Sequence, residues 1–341
     1  MDSSTPPNTL SYFPSIGAFI DNGALQIVEV LTTWVGYSGV VYRAVDTRTR
    51  HPSGQKKYFS VRCLCISVFP NTAKRQKEIY LRGVMLHRLA SAHPGIIDIH
   101  HVFEQDNRLY IITNHAPNGN LATQIFEKGR YIGRNADIKS VYLQLLEAVD
   151  YCHSIRIAHM HLTPRNIVCF QDGLRVSITN FGLATTERFS ENFRQGSVRY
   201  MSPECHGAQF THTGKYSPKF NDIWSLGIIM LNMITGRNCW MVATPDDPFF
   251  RDYSNSPFDI LPVIYPISSE TNNILSRMLH PSWYQRSTLH EVRMAVENVT
   301  NFYSEDAFFS GGMACFRRQE IKESPLTRAM REQHILSEAP R

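Results

Sequence analysis

The chain has 341 residues, 43% of them hydrophobic and 11% aromatic, enough apolar material to bury a large core, which excludes a disordered class and predicts one two-lobed globular domain or two small ones. Its formal charge of +5 is modest, and the basic residues gather locally in TRTRHPSGQKK and AKRQK; such clusters read as solvated loops and helix surfaces, arguing against a nucleic-acid or membrane partner. The longest apolar run, around 226 to 234, is far shorter than the roughly 20 residues of a membrane span, and MDSSTPPNTL lacks the basic-then-apolar order of a secretory leader.

In chain order, residues 1–19 read as a flexible leading segment. The stretch 20–113 is a small sheet-based lobe, because ALQIVEVL, GVVYRAVD, YFSVRCLCI and RLYIIT are short apolar, β-branched runs of antiparallel-strand type, interrupted by one helical candidate over about 72 to 89. A hinge is expected at 114–116, before the turn PNGN. A mainly helical lobe over 117–303 follows: Ile138, Val141, Tyr142, Leu145, Leu146 and Val149 recur at the spacing of one helix face, with further helical runs after Asn221 and Thr271. The fold class is therefore α+β. Residues 304–341 are expected to be a loosely packed tail. Seven cysteines, an odd number without any CxxC pair, fit a reducing compartment, cytoplasmic or nuclear, better than a disulfide framework. His153, His159 and His161 lie near one another in sequence, but without a cysteine at ligand spacing they make a poor zinc pattern.

Five spaced segments, WVGYSGVVYRAVD, FSVRCL, AHMHLTPRNIV, NFGLA with GSVRYMSPE, and NDIWSLG, occur in the order of the eukaryotic protein-kinase signature set, so the chain resembles that superfamily over roughly residues 25 to 300. YCHSIRIAHMHLTPRNI, FRQGSVRYMSPEC and PISSETNNILSRML further resemble fungal serine/threonine kinases of the Ran1 type. The resemblance implies a two-lobed kinase fold, ATP and magnesium as cofactors, and a protein substrate or partner; it leaves the oligomeric state open. It gives architectural roles to Asp222, which would anchor the catalytic-loop backbone, to Glu204 and Arg286 as an ion pair, and to His159 and Phe181 in an apolar column in which His87 takes an aliphatic position.

The chemistry is where the pattern departs from the family. Phosphoryl transfer depends on positioning and on electrostatic stabilisation of phosphate charge, hence on carboxylate-held metal ions and on a lysine held by a glutamate. Asn180 stands at the metal-binding aspartate, offering one neutral carbonyl oxygen to a hard cation. Asn166 keeps the family's second metal position, or serves equally as a loop-stabilising hydrogen bonder. His161 replaces the general base, Thr163 the loop lysine, and Met160 the arginine that would receive an activation-loop phosphate on Thr185, Thr186, Ser190 or Ser197. Arg62 replaces the strand lysine, and Gly83 replaces its helix glutamate, with Glu78 about 140° around the helix and so unable to substitute. Trp34 takes the first position of the glycine-rich loop, with Gly36 and Gly39 retained, and Val41, Ser60, Thr113, Asn114, Ala116 and Val168 would line a nucleotide slot.

Three readings follow. The first is a pseudokinase, a binding, scaffolding or regulatory module with weak or absent ATP and magnesium binding. The second is an active kinase with relocated chemistry; its missing substitute acid is not found in Asp98 or Asp172, which the pattern places on loops away from the phosphates. The third is a relaxed gene copy, which retention of the folding residues disfavours. Loss of a base alone removes about 10²- to 10⁴-fold in rate.

Overall fold

In this computed structural model, residues 13–34, 39–48, 56–66, 70–211 and 213–317 are described. They divide into two compact units, one of the described residues up to Ala92 together with Ile97–Pro117, and one of His93–Ile96 together with the described residues from Asn118 onward. The first is built on a six-stranded antiparallel sheet in the order β1-β2-β3-β4-β6-β5, from β1 (Phe19–Ile20), β2 (Leu25–Trp34), β3 (Gly39–Asp46), β4 (Tyr58–Cys65), β5 (Ile99–Gln105) and β6 (Arg108–Asn114), with helix α1 over Pro70–Ala90. β-Branched and aromatic residues drive this sheet. On one of its faces Val40, Tyr42, Ala44, Phe59, Val61, Cys63, Tyr110 and Ile112 join a single buried cluster. Strand alternation sends Val41, Ser60, Arg62 and Thr113 to the other face, where α1 lays Ala73 and Tyr80 against Leu64, Leu109 and Ile111.

The second unit is mainly helical: α2 (Asn135–Ser154), α3 (Pro218–Thr235), α4 (Pro248–Asn255), α5 (Ile260–Ile264), α6 (Ser269–Met278) and α7 (Leu289–Asn298), with two hairpins, β7 (Ile167–Phe170) with β8 (Arg175–Ile178), and β9 (Ala307–Ser310) with β10 (Met313–Phe316). The apolar face expected on α2 is buried throughout. α3 is buried nearly all round, the signature of a core helix. It starts with a proline in its first turn and ends at Gly236, whose left-handed backbone (φ 71°) caps the helix by donating its N–H to the Asn232 carbonyl at 2.8 Å. α7 opens with a capping box, Thr288 and Glu291 exchanging side-chain and backbone bonds. None of the described helices is long and apolar enough to cross a membrane.

Three elements differ from the sequence reading, the first being β1, which pairs Phe19, at the end of the expected flexible leading segment, with Gln26 of β2. β5, IHHVFEQ, alternates too weakly to announce itself. Residues 307–316, expected in a loose tail, pair as a hairpin whose Ala314 is fully buried and whose Phe309 meets Tyr303 edge-on at 4.8 Å. All seven cysteines are free thiols: Cys63, Cys152, Cys169, Cys205 and Cys239 are buried, Cys65 and Cys315 half-buried.

Candidate catalytic loop and activation segment

In the second unit, Asp222 on α3 is wholly buried and organises the loop after Ala158. One carboxylate oxygen accepts from the His159 amide (2.8 Å) and from His153 Nε2 (2.9 Å), the other from the Met160 amide (2.8 Å). These bonds hold Met160 at φ 63°, a left-handed backbone uncommon for a non-glycine residue. Met160 itself is buried beside Ala158, Met201, Cys205 and Tyr216, so it packs a core where the family has a cation.

His159 Nε2 donates to the Thr179 carbonyl at 3.0 Å, and Nδ1 accepts from the His161 amide at 3.2 Å. That pair of bonds suits the neutral ring. Burial lowers the His159 pKa, against the opposing pull of Asp222 and the Thr179 carbonyl. Phe181 packs edge-on against the same ring at 4.6 Å.

Three residues named for chemistry are brought together by hydrogen bonds. Asn166 donates its amide to the His161 carbonyl at 2.8 Å, which turns its Oδ1 toward Asn180, and Asn180 Nδ2 donates to that oxygen at 3.0 Å. Both asparagines are buried, and Asn180 sits in left-handed backbone at φ 70°. A hard cation needs converging oxygens; here the second amide presents an NH2 group to the first one's oxygen. The Asn166 oxygen is thus engaged by an NH2 group at 3.0 Å where a metal ion would need it. Thr163 is buried at 4% exposure, its carbonyl accepting from the Asn166 amide at 2.9 Å, so it acts as a loop residue with no charge to offer.

His161 Nε2 shares a hydrogen bond with Ser197 Oγ at 3.0 Å. This contact joins the loop to the segment after Asn180, a partnership across 36 positions that no sequence pattern announces. Gly196 makes it possible: its φ is +116°, and an added Cβ would lie 3.2 Å from the Met160 carbonyl oxygen. The segment's far end is fixed by Glu204 and Arg286, which form a buried two-pronged pair (Nη1 to Oε1 2.6 Å, Nη2 to Oε2 2.7 Å). Arg286 Nε donates to the His280 carbonyl at 2.8 Å, and its Cζ lies 4.7 Å from the Trp224 ring centroid. Val168 lies on β7, paired with Ser177 and bridged to Asn120.

In the first unit, sheet register sets Ser60 between Arg43 and Thr113, and Arg62 between Val41 and Ile111, all on the face away from the main cluster. Gly39 is paired with Leu64 and buried, Ala116 is buried, and Asn114 is exposed with its Oδ1 bonded to His100 at 2.6 Å. Burial lowers the Arg62 pKa to about 10, with Tyr80 acting the other way, so the guanidinium is charged at neutral pH. Tyr80, one helical turn before Gly83, is a companion of Arg62 that the motif pattern did not single out. His87 is buried and donates Nε2–H to the Ile97 carbonyl at 2.8 Å, which satisfies its polar ring in an apolar position. Gly36 and the Trp34 side chain lie outside the described residues. Asp172 and Asp98 are exposed, Asp172 facing Arg130 at 3.3 Å.

The family model for the protein kinase domain matches residues 35–296. The chain is 36% identical over 296 residues to the negative regulator of sexual conjugation and meiosis of Schizosaccharomyces pombe, covering 82% of this chain and 60% of that protein. It is 34% identical over 255 residues to the S. pombe serine/threonine-protein kinase ksp1, covering 72% and 53%, and 30% identical over 243 residues to Saccharomyces cerevisiae VHS1, also a serine/threonine-protein kinase, covering 67% and 52%. It thus spans between about half and three fifths of the length of these relatives. A helix aspartate anchoring a loop, a buried Glu204–Arg286 pair and a six-stranded sheet carrying one long helix accord with the match, and the chain belongs to the protein kinase family, among relatives of the fungal serine/threonine kinases.

Proposed function

We propose that this chain is a catalytically impaired kinase-fold protein that works as a binding, scaffolding or regulatory module for a protein partner in the cytoplasm or nucleus, with weak or absent ATP and magnesium binding. The observation that carries the reading is the Asn180 Nδ2 to Asn166 Oδ1 bond of 3.0 Å: the position that would grip a divalent cation is a hydrogen-bond donor satisfied inside the protein. The uncharged Thr163 and the loss of both the base carboxylate and the helix glutamate at Gly83 act in the same direction. Groups that act as a unit lose most of their acceleration when one is removed.

The test is titration of purified protein with ATP, with and without magnesium, read as a melting-temperature shift, alongside transfer of labelled phosphate to protein acceptors. Expected are a small nucleotide shift, no added effect of magnesium, no transfer, and no rescue by Asn180→Asp alone. A large magnesium-dependent shift with ordinary turnover would sink the reading.

The His161 to Ser197 contact favours one second reading, an active kinase in which imidazole takes a hydroxyl proton. In that case transfer rises as pH passes the imidazole pKa and disappears in His161→Asn; a flat pH profile removes the second reading.

A further inference from the structure

The surface around the His161–Ser197 bond carries arginines and no acidic side chain in the two stretches that form it. Neither 159–166 nor 193–203 contains an aspartate or glutamate, whereas Arg165, Arg194 and Arg199 fall within them. The nearby buried acids are already engaged, Glu204 by the two prongs of Arg286 and Asp222 by hydrogen bonds from His153 and two backbone amides. Arg165 stands exposed four positions after His161, on the turn Pro164–Asn166; Arg199 stands half-buried two positions after Ser197, on the turn Val198–Tyr200. The 3.0 Å bond between His161 and Ser197 therefore brings the two arginine-bearing turns to one place. Both guanidiniums act electrostatically on the same phenol, that of Tyr200. Among the described residues, Arg165 and Arg199 have no ion-pair or side-chain hydrogen-bond partner, and Arg194 is held by its Nε bond to the His206 carbonyl at 3.0 Å.

We infer that the surface formed by His161, Arg165, Ser197 and Arg199 recognises a phosphoserine- or phosphothreonine-bearing segment of a protein partner. Guanidinium forks match phosphate oxygens in pairs, and the His161–Ser197 contact lies on the two stretches that carry them. An active kinase must release a freshly phosphorylated product, so a surface that retains the phosphorylated side chain suits a binding role. The inference rests on the binding-module reading and names the partner's chemistry.

The test uses the full chain and fluorescence anisotropy with degenerate peptide libraries centred on phosphoserine, serine or glutamate. The phosphoserine library is expected to bind at least about tenfold more tightly than the other two. The variant R165E/R199E, folded by circular dichroism, loses that preference, and Arg251→Glu, on α4, keeps it. Should the double variant unfold, Arg165→Gln, at an exposed site without a partner, replaces it and is expected to weaken phosphoserine binding. Equal binding of the phosphoserine and serine libraries, equal binding of the glutamate library, or a preference that survives the arginine variants overturns the inference. ATP and magnesium titrations on the same samples keep the two ideas apart: magnesium-dependent nucleotide binding strikes the proposed function and leaves the peptide result to be read by itself.

Discussion

An amide and a carboxylate at position 180 have nearly the same shape and demand opposite things of Asn166. With Asn180, a donor faces the Asn166 oxygen at 3.0 Å; with aspartate, two oxygens would face each other there unless a cation stood between them. Asn180→Asp should accordingly destabilise the protein by about 1–3 kcal/mol in metal-free buffer, the cost of a buried acceptor without its donor, and part of that loss should return on adding magnesium chloride. Thermal melts in chelator and in magnesium measure both effects; identical melting for the variant and parent in chelator would show that the amide bond contributes nothing. Arg286 offers a second measurement at this scale. Its pair with Glu204 is wholly buried, so Arg286→Ala leaves an uncompensated carboxylate and should cost about 3–5 kcal/mol in urea unfolding.

Among the elements, the β9–β10 hairpin makes the clearest demand. Its Gly312 packs against Gly129 and Gly236, all three with positive φ, a backbone-to-backbone approach that leaves no room for a Cβ at Gly129 or Gly236. Ending the chain at Ser304 exposes Tyr303 and the surface under Ala314, and should lower stability by about 2 kcal/mol, seen as a reduced melting temperature; an unchanged melt would mean the hairpin only rests on the helices. The sequence hid this hairpin for a physical reason: AFFS and MACF are four-residue strands, too short to show a periodicity, joined by a turn that docks on glycine backbone. β5 was obscured by its paired histidines, exposed on a strand that shows the core little more than Val102 and Phe103. β3, β4, β6, α1 and α2 were legible because each repeats apolar residues at the period of its own geometry.

For the molecule as a whole, acid should be destabilising over a defined window. Burial lowers the pKa of His159 and of His206, so the unfolded chain binds these protons more readily than the folded one. Their neutral form contributes stability above an unfolded pKa near 6.5, and that contribution is lost as pH falls below it. The melting temperature should decline from pH 7 to pH 5, and a rise on acidification would contradict the burial of these rings. The ordered motifs made the kinase fold and the candidate positions readable, because each motif is local. The bonds that decide their chemistry, Asn180 to Asn166 and His161 to Ser197, span 14 and 36 positions, and only folding reveals which atoms meet. The distribution of thiols has a practical consequence. Desolvation drives the Cys63, Cys152 and Cys169 thiols up to about 12 and those of Cys205 and Cys239 well above their ordinary value, which protects them from alkylating dyes. Cys65 on β4 and Cys315 on β10 are the half-buried pair, one in each compact unit. The native chain thus carries one half-buried thiol in each unit as a labelling site of its own, Cys65 reacting more slowly than an exposed thiol because burial raises its pKa, and neither unit needs an engineered cysteine.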